Sequence, residues 1–326
     1  MGLKIGLVGV GHFGKFHLKS NLEGDFELVG FFDINKETSD QVEKEFGVKQ
    51  FASYDELLKE VDAIDVVVPT VSHFDVAAKA ISAGKHVFIE KAVTVTLDEA
   101  HRLEKLALEN KVKIQVGHIE RFNPAFTAVK EFIKNPKFIE LHRLGPYHPR
   151  NKDIPVVLDL LIHDIDIVLS LVKTDVTLIR ANGVSIISDS PDITNARVEF
   201  GEQCTVNMTG SRLSLKKMRK VRLFQDDAYI SIDFLEKKSE IVRINEVDGP
   251  INNPFSLVLD TGEGKPKKQI IFKTPEINKS NAMVDELNSF HDAILNNTQP
   301  EVTIQDGYNA LKLAHQIMEN MNNPVN

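Results

Sequence analysis

The sequence has no tryptophan and only one cysteine, Cys204. The lack of tryptophan excludes no mechanism, but a single thiol cannot form a disulfide within the chain. No apolar run reaches the ~20 residues that a membrane-spanning helix needs, and the first residues lack the pattern of a signal peptide. We therefore expect a cytoplasmic protein that does not span a membrane.

The sequence also lacks an excess of basic residues, since 39 Lys and Arg against 47 Asp and Glu give a net charge of -8. Nucleic-acid binding generally depends on basic surfaces that neutralise phosphates, so this charge disfavours that class of function. Hydrophobic residues make up 42% of the 326 residues, which is typical of a globular protein. A chain of this length is too long for one ordinary hydrophobic core and predicts two domains.

The first 120 residues alternate short apolar runs with amphipathic stretches, as strands and crossover helices of a parallel sheet do. Right-handed crossovers then predict a doubly wound α/β domain over residues 1–120. The predicted strands are residues 4–8, 26–32, 63–68, 86–89 and 113–116, and the predicted helices are 14–21, 36–46, 54–59, 74–83 and 97–110.

The rhythm changes after residue 121, where a long apolar helix precedes strand-like segments with no helices between them. This pattern predicts an α+β domain over residues 121–326 with an antiparallel or mixed sheet. The long helix is predicted at residues 153–172, a loop at 249–266, and two closing amphipathic helices after that loop. The predicted strands are residues 138–143, 176–187, 193–200, 203–210, 219–224, 229–234, 240–247 and 269–272.

A glycine-rich turn, G-V-G-H-F-G at residues 9–14, directly follows the first predicted strand. Because a helix is predicted to begin there, this is the context in which a G-x-G-x-x-G motif binds a dinucleotide. Gly9 permits the tight turn, Gly11 lets the backbone approach a pyrophosphate, and Gly14 lets the helix pack on the strand. The alternative is a glycine-rich turn without a ligand.

Asp33 ends the second predicted strand, about 20 residues after the last glycine, where a carboxylate accepts the adenosine ribose hydroxyls and repels a 2′-phosphate. NAD is therefore favoured over NADP, although Lys36 would weaken that preference. The alternative is that Asp33 only caps the next helix.

Polar residues also follow two later predicted strands, at the edge where such sheets bind ligands. Thr70 and His73 are candidates to line the nicotinamide ribose, and His73 would otherwise be a first-turn surface residue. Lys91 can stabilise a developing alkoxide, and Glu90 can hold the ribose or Lys91 itself, with a surface ion pair as the alternative. The candidate cofactor-binding residues are Gly9, Gly11, His12, Phe13, Gly14, Asp33, Pro69, Thr70, His73, Glu90 and Lys91.

Three polar residues share one side of the long, largely apolar helix. Asp159, His163 and Asp166 lie along one stripe because they are four and three residues apart. A histidine accepts an alcohol proton near neutral pH, and a neighbouring carboxylate orients its ring. The alternatives are a hydrogen-bonded structural trio or a metal pair. No metal site is predicted, since no third ligand is evident.

Together these motifs resemble the Gfo/Idh/MocA family of NAD(P)-dependent oxidoreductases over nearly the whole chain. The resemblance rests on the turn at residues 9–14, on Glu90-Lys91 matching the family's Glu-Lys-Pro, and on Asp159 and His163 matching its Asp-x-x-x-His helix. It implies a Rossmann domain joined to a domain with a large open sheet, an oligomer, and a hydride-transfer site that contains Lys91, Asp159 and His163.

Two positions depart from the family pattern. Ala92 replaces the motif's proline, which removes a residue that fixes φ and leaves the pose of Lys91 less defined. I-P-V at residues 154–156 replaces a glycine pair before the catalytic helix, which would alter the substrate pocket without removing its acid and base.

Within the family, residues 117–126 and 157–166 resemble the UDP-N-acetylglucosamine 3-dehydrogenase group. A nucleotide sugar carries a diphosphate, which suits the planar donors of guanidinium groups. For any one arginine, an ordinary surface position is the alternative. The diphosphate candidates are Arg121, Asn123, Arg143, Arg150 and Arg212, and the predicted substrate-binding residues are Lys91, His118, Arg121, Asn123, Asp159 and His163.

The sequence predicts an NAD-dependent dehydrogenase that oxidises a sugar hydroxyl, with Lys91, Asp159 and His163 catalytic. The resemblance implies that this hydroxyl is at C3 of a UDP-N-acetylglucosamine-type nucleotide sugar. His163 would be the base and Lys91 would stabilise the oxygen. The two roles can also be exchanged, because burial lowers a lysine pKa and lets the amine act as a base. The alternatives are an inositol or simple-sugar dehydrogenase and, from another class, a non-catalytic NAD-binding sensor or scaffold. Residues 1–120 would bind NAD, and residues 121–326 would bind the sugar and form a homodimer or homotetramer.

Overall fold

The computed structural model describes residues 2–148, 154–247, 257–259, 262 and 266–322. The chain divides into two compact units, each made of two segments. The first unit contains Met1–Phe122 and Asn281–Lys312, and the second contains Asn123–Ser280 and Leu313–Asn326. The predicted division assigned all of residues 121–326 to the second domain, whereas residues 281–312 belong to the first unit.

The first unit is a doubly wound α/β layer, as predicted. Its strands are β1 (Lys4–Val8), β2 (Glu27–Phe32), β3 (Ala63–Val66), β4 (His86–Glu90) and β5 (Ile114–Gly117). Its helices up to residue 122 are α1 (His12–Glu23), α2 (Lys36–Phe46), α3 (Tyr54–Glu60), α4 (His73–Ser82) and α5 (Leu97–Asn110). The strands pair in parallel in the order β2-β1-β3-β4-β5.

The strand order shows at which edge of the parallel sheet a ligand is expected to bind. The chain leaves β1 for β2 on one side and returns to β3 on the other side of β1, so the strand order reverses there. Parallel strands end at the same edge: Val8 lies opposite both Phe32 and Val66, and Glu90 lies opposite Gly117. In open α/β sheets, ligands bind outside the carboxyl ends of the strands at such a reversal.

The second unit is built on a nine-stranded sheet with one parallel pair, β6 with β9, and antiparallel pairs elsewhere, which confirms the mainly antiparallel prediction. Its order is β13-β14-β12-β11-β10-β6-β9-β8-β7. The strands are β6 (Phe138–Leu144), β7 (Leu178–Val184), β8 (Ile193–Phe200), β9 (Cys204–Ser211), β10 (Met218–Gln225), β11 (Ala228–Asp233), β12 (Lys238–Val247), β13 (Leu257–Leu259) and β14 (Lys267–Lys273). Two helices of this unit are α6 (Pro124–Thr127) and α7 (Ile162–Leu171).

The predicted helix at residues 153–172 is not one continuous α-helix. Residue 153 lies outside the described residues, Val157–Leu161 forms a π-helical turn, and α7 follows directly. The predicted loop at 249–266 contains the short strand β13, which pairs with β14. Three residues are too few for an alternating pattern to identify a strand.

The closing helices are α8 (Ala282–Leu295) and α9 (Ile304–Asn322). Leu287 and Phe290 of α8 are buried against Ile5, Phe26 and Phe88 of the first unit. This apolar contact explains why residues 281–312 cluster with the N-terminal segment. Within the described residues, no helix is both long enough and apolar enough to cross a membrane.

Candidate active site

The glycine turn lies at the carboxyl end of β1 and leaves room for a pyrophosphate. Gly9 has φ of 94°, and a Cβ there would lie 2.7 Å from the carbonyl oxygen of Val67. A Cβ on Gly14 would lie 2.1 Å from the carbonyl oxygen of Gly9, so only glycine lets α1 pack this closely. A Cβ on Gly11 would meet nothing within 4 Å, and no side chain caps α1. The first-turn amides of α1 therefore face a space that suits an anion.

Asp33 ties the glycine turn to the end of β2. Its Oδ2 accepts a hydrogen bond from the Val10 amide at 2.8 Å, and its Oδ1 accepts one from the Asn35 amide at 2.8 Å. Asn35, not Asp33, caps α2 by accepting from the Thr38 amide at 3.0 Å, so the cap alternative is wrong. Each Asp33 oxygen keeps a second lone pair for a ribose hydroxyl. Ile34 beside it is 93% exposed.

The loop after β3 holds Pro69, which is exposed, and Thr70, which is half-buried. His73 lies beneath this loop and is only 1% exposed. Its Nδ1 lies 2.9 Å from the Ala92 carbonyl oxygen and its Nε2 lies 2.9 Å from that of Val68. Burial lowers the pKa of His73, although both carbonyl groups oppose that shift. The reading of His73 as a surface residue is wrong, because the ring joins two loops from below. Its role at the nicotinamide ribose stays a prediction.

Glu90 and Lys91 lie at the carboxyl end of β4, both half-buried. The Lys91 amide donates to Glu90 Oε2 at 3.0 Å, and His17 Nε2 lies 3.0 Å from Glu90 Oε1. The other ring nitrogen of His17 lies 3.0 Å from Asp65 Oδ2. Glu90 is therefore fixed by protein contacts and is not half of a solvated surface ion pair. The peptide bond between Lys91 and Ala92 is cis.

Sequence reasoning missed His17 and Asp65. A signal for Asp65 was present, because A-I-D-V at residues 63–66 is an apolar strand with one carboxylate inside it. A carboxylate in a strand that is buried on both faces needs a partner. His17 lies three residues after Gly14, on the buried side of α1.

In the second unit, Asp159 lies in the π-helical turn and His163 lies in the first turn of α7, and both are half-buried. Single π-helical turns occur frequently at functional sites. Asp166, which sequence reasoning placed on the same stripe, is 1% exposed. The two half-buried residues are thus the accessible members of the predicted trio.

The diphosphate candidates among the described residues make contacts within the protein. Arg121 is 8% exposed, and its Nη2 lies 3.4 Å from Asp306 Oδ1. Asn123 caps α6, and its Nδ2 donates to the Phe234 carbonyl at 3.1 Å. Arg143 makes a two-point contact with Asp164, and Arg212 donates to the carbonyls of Ile154 and Pro191. His118, a predicted substrate-binding residue, is 1% exposed. Arg150 lies outside the described residues.

Comparisons with known proteins identify the family of this chain. Residues 3–118 match the oxidoreductase family with the NAD-binding Rossmann fold. The UDP-N-acetylglucosamine 3-dehydrogenase of Acidithiobacillus ferrooxidans is 37% identical over 240 residues, covering 73% of this chain and 76% of that protein. The chain belongs to the Gfo/Idh/MocA family of NAD-binding oxidoreductases.

Similar proteins also cover almost the whole chain. A solved structure of the Acidithiobacillus ferrooxidans enzyme has a TM-score of 0.87 and 31% identity, with 98% of each chain covered. The inositol 2-dehydrogenase of Rhizobium meliloti is 24% identical over 332 residues, covering 96% of this chain and 95% of that protein. The apo scyllo-inositol dehydrogenase from Lactobacillus casei has a TM-score of 0.77 at 20% identity and shows the shared fold.

Proposed function

We propose that the protein is an NAD-dependent dehydrogenase that oxidises the C3 hydroxyl of a nucleotide sugar of the UDP-N-acetylglucosamine type. The observation that supports this substrate is the TM-score of 0.87 to an enzyme of that name over 98% of both chains. The Lys91, Asp159 and His163 side chains supply the acid and base groups that oxidation of an alcohol needs.

In this proposal the glycine turn and Asp33 hold the pyrophosphate and the adenosine ribose. NAD, when bound, accepts the hydride from the sugar carbon. Lys91 donates a hydrogen bond to the sugar oxygen and stabilises its developing negative charge. His163 accepts the hydroxyl proton, and Asp159 orients the imidazole.

The test is single-turnover formation of NADH from NAD and UDP-N-acetylglucosamine. Lys91→Ala and His163→Ala should each slow hydride transfer by about 10²- to 10⁴-fold, the usual contribution of a positioned acid or base. Lys105→Ala and His101→Ala are matched controls, because both side chains are exposed on α5. Parent-like rates in both site variants would reject the catalytic assignment.

The substrate class is tested separately by thermal shift with NAD and a panel of UDP-sugars, free sugars and inositols, because a ligand that binds the folded state raises the Tm. A response to UDP-N-acetylglucosamine and to no free polyol is expected. A response to inositols alone would favour the activity named for the Rhizobium meliloti relative. NAD binding without turnover of any sugar would favour a sensor or scaffold.

A further inference from the structure

Three ionisable side chains lie in contact inside the first unit, directly behind the Glu90-Lys91 dipeptide. His17 and Asp65 are both 0% exposed. His17 Nδ1 lies 3.0 Å from Asp65 Oδ2 and 3.2 Å from Oδ1, and His17 Nε2 lies 3.0 Å from Glu90 Oε1. Asn21 donates to Asp65 Oδ2 at 2.8 Å. The imidazole thus links one carboxylate on β3 to another at the end of β4.

The contacts determine the protonation state of His17. A neutral imidazole has one N–H and one lone pair, so it can donate to only one of two carboxylates. An imidazolium donates to both and compensates one of their two negative charges. Burial alone would lower the pKa of His17, but the charges and hydrogen bonds of Asp65 and Glu90 raise that pKa well above its ordinary value.

The second contact of Glu90 connects the His17–Asp65 pair to the candidate catalytic lysine. Burial would raise the pKa of Glu90, but His17 and Lys91 together lower it, so the carboxylate stays ionised. Its Oε2 accepts the hydrogen bond of the Lys91 amide at 3.0 Å. Gly117 at the end of β5 makes room for this pose, because a Cβ there would lie 2.9 Å from Glu90 Oε1.

We propose that His17 is a positioning residue for hydride transfer: a buried imidazolium that clamps the Glu90 carboxylate and thereby fixes the backbone from which the Lys91 ammonium reaches the substrate. His17 itself touches no substrate. The catalytic part of this inference rests on the proposed function, since it needs Lys91 to act on the sugar oxygen. The charge state of the clamp does not.

The clamp predicts a characteristic dependence on pH. The groups that face the His17 ring are Asp65 from β3, Glu90 from β4 and the Phe88 ring at 5.9 Å. Because the folded pKa of His17 is raised, its contribution to stability is complete below the ordinary histidine pKa. That contribution is lost as the pH rises through the folded value, and kcat should fall on the same alkaline limb.

The first experiment replaces His17 by Gln, which can donate one hydrogen bond but carries no charge. The kcat of His17→Gln should fall by about 10- to 100-fold, as expected for a catalytic group displaced by a fraction of an ångström. The NAD dissociation constant should change less than kcat does, because the glycine turn and Asp33 are intact. His101→Gln, an exposed change on α5, is the control, and circular dichroism with NAD binding shows that each variant is folded.

The second variant, Asp65→Asn, removes one counter-charge without changing Glu90 or Lys91. The pKa of His17 should fall, so the alkaline limb of the kcat profile should shift to lower pH. A side chain that only filled space would lower kcat equally at every pH. An unshifted limb in Asp65→Asn, or a parent-like kcat in His17→Gln, would overturn the positioning role.

The charge state is measured without any sugar, from the ¹⁵N shifts of the His17 ring in the whole protein. Both nitrogens should be protonated at neutral pH, and Glu90→Gln should make the ring titrate at lower pH. A neutral ring in the parent protein would overturn the clamp whatever the substrate proves to be. A parent protein that oxidises no sugar but shows an imidazolium would instead reject the proposed function and retain the clamp.

Discussion

At the scale of single residues, the Asp33 carboxylate shapes the loop beside the glycine turn. Both of its oxygens accept backbone hydrogen bonds at 2.8 Å, from Val10 and from Asn35. These bonds hold the carboxylate rigidly beside the glycine turn before any cofactor binds. A rigid anion at this place favours two hydroxyls over a phosphate.

In the proposed function Asp33 binds the adenosine ribose, so replacing it should change cofactor choice. Asp33→Ala should weaken NAD binding by about 10- to 100-fold, the value of losing charge-assisted hydrogen bonds, and should narrow the gap between NAD and NADP because the repulsion of the 2′-phosphate is gone. Fluorescence titration with both dinucleotides measures this. Asp98→Asn, an exposed change on α5, should bind both as the parent does. An Asp33→Ala protein with unchanged NAD affinity would contradict the ribose assignment.

At the scale of elements, a buried ion pair attaches α7 to β6. Arg143 Nε donates to Asp164 Oδ2 at 3.0 Å and Nη2 donates to Oδ1 at 2.7 Å. The two residues are 3% and 2% exposed. Because His163 directly precedes Asp164, this two-point contact also sets the rotation of the helix that carries the proposed base.

Removing only the arginine takes away the guanidinium that balances the charge of the buried Asp164 carboxylate. Arg143→Met should lower the free energy of unfolding by about 3–5 kcal/mol, and adding Asp164→Leu should restore most of that loss. Urea unfolding measures both. Arg197→Met, which breaks an exposed pair with Glu199, should cost less than about 1 kcal/mol. A double variant no more stable than Arg143→Met would show that the pair itself is not the cause.

The sequence predicted elements well where local chemistry determines their ends. α5 runs from Leu97 to Asn110 as expected, because Thr96 and Glu99 form a reciprocal capping box. Thr303 and Asp306 exchange hydrogen bonds at the start of α9 in the same way. The π-helical turn before α7 was not predictable, since one inserted residue hardly alters an already apolar pattern. The contacts of His17 and His73 depend on which strands become neighbours, and local periodicity does not encode that.

At the scale of the whole molecule, the open sheet of the second unit carries an apolar row on its outer face. Phe138, Phe224, Tyr229, Val242 and Phe272 are successive cross-strand partners in β6, β10, β11, β12 and β14. Phe272 is 68% exposed and Phe224 is 38% exposed. Such a row favours self-association. The homodimer or homotetramer stays a prediction, and this row is its expected interface.

Sedimentation velocity tests that surface. The parent protein should sediment as a dimer or tetramer, and Phe272→Asp should shift it to a smaller species, because a charge would be buried without a partner. Leu108→Asp places the same charge on a residue of α5 that is 75% exposed and should leave the assembly intact. A monomeric parent would contradict self-association, and an unchanged Phe272→Asp protein would place the interface on another surface.

The aromatic cluster under the parallel sheet takes its members from both ends of the polypeptide. Phe26 lies 5.8 Å and Phe88 lies 6.1 Å from Phe290, ring centre to ring centre. During synthesis, β1 to β5 and α1 can emerge and pair early, yet the aromatic cluster stays incomplete until α8 leaves the ribosome. The first unit therefore completes its folding only after α8 has been synthesised. A fragment cut after residue 122 would lack α8 and would expose the apolar side chains of Ile5, Phe26 and Phe88.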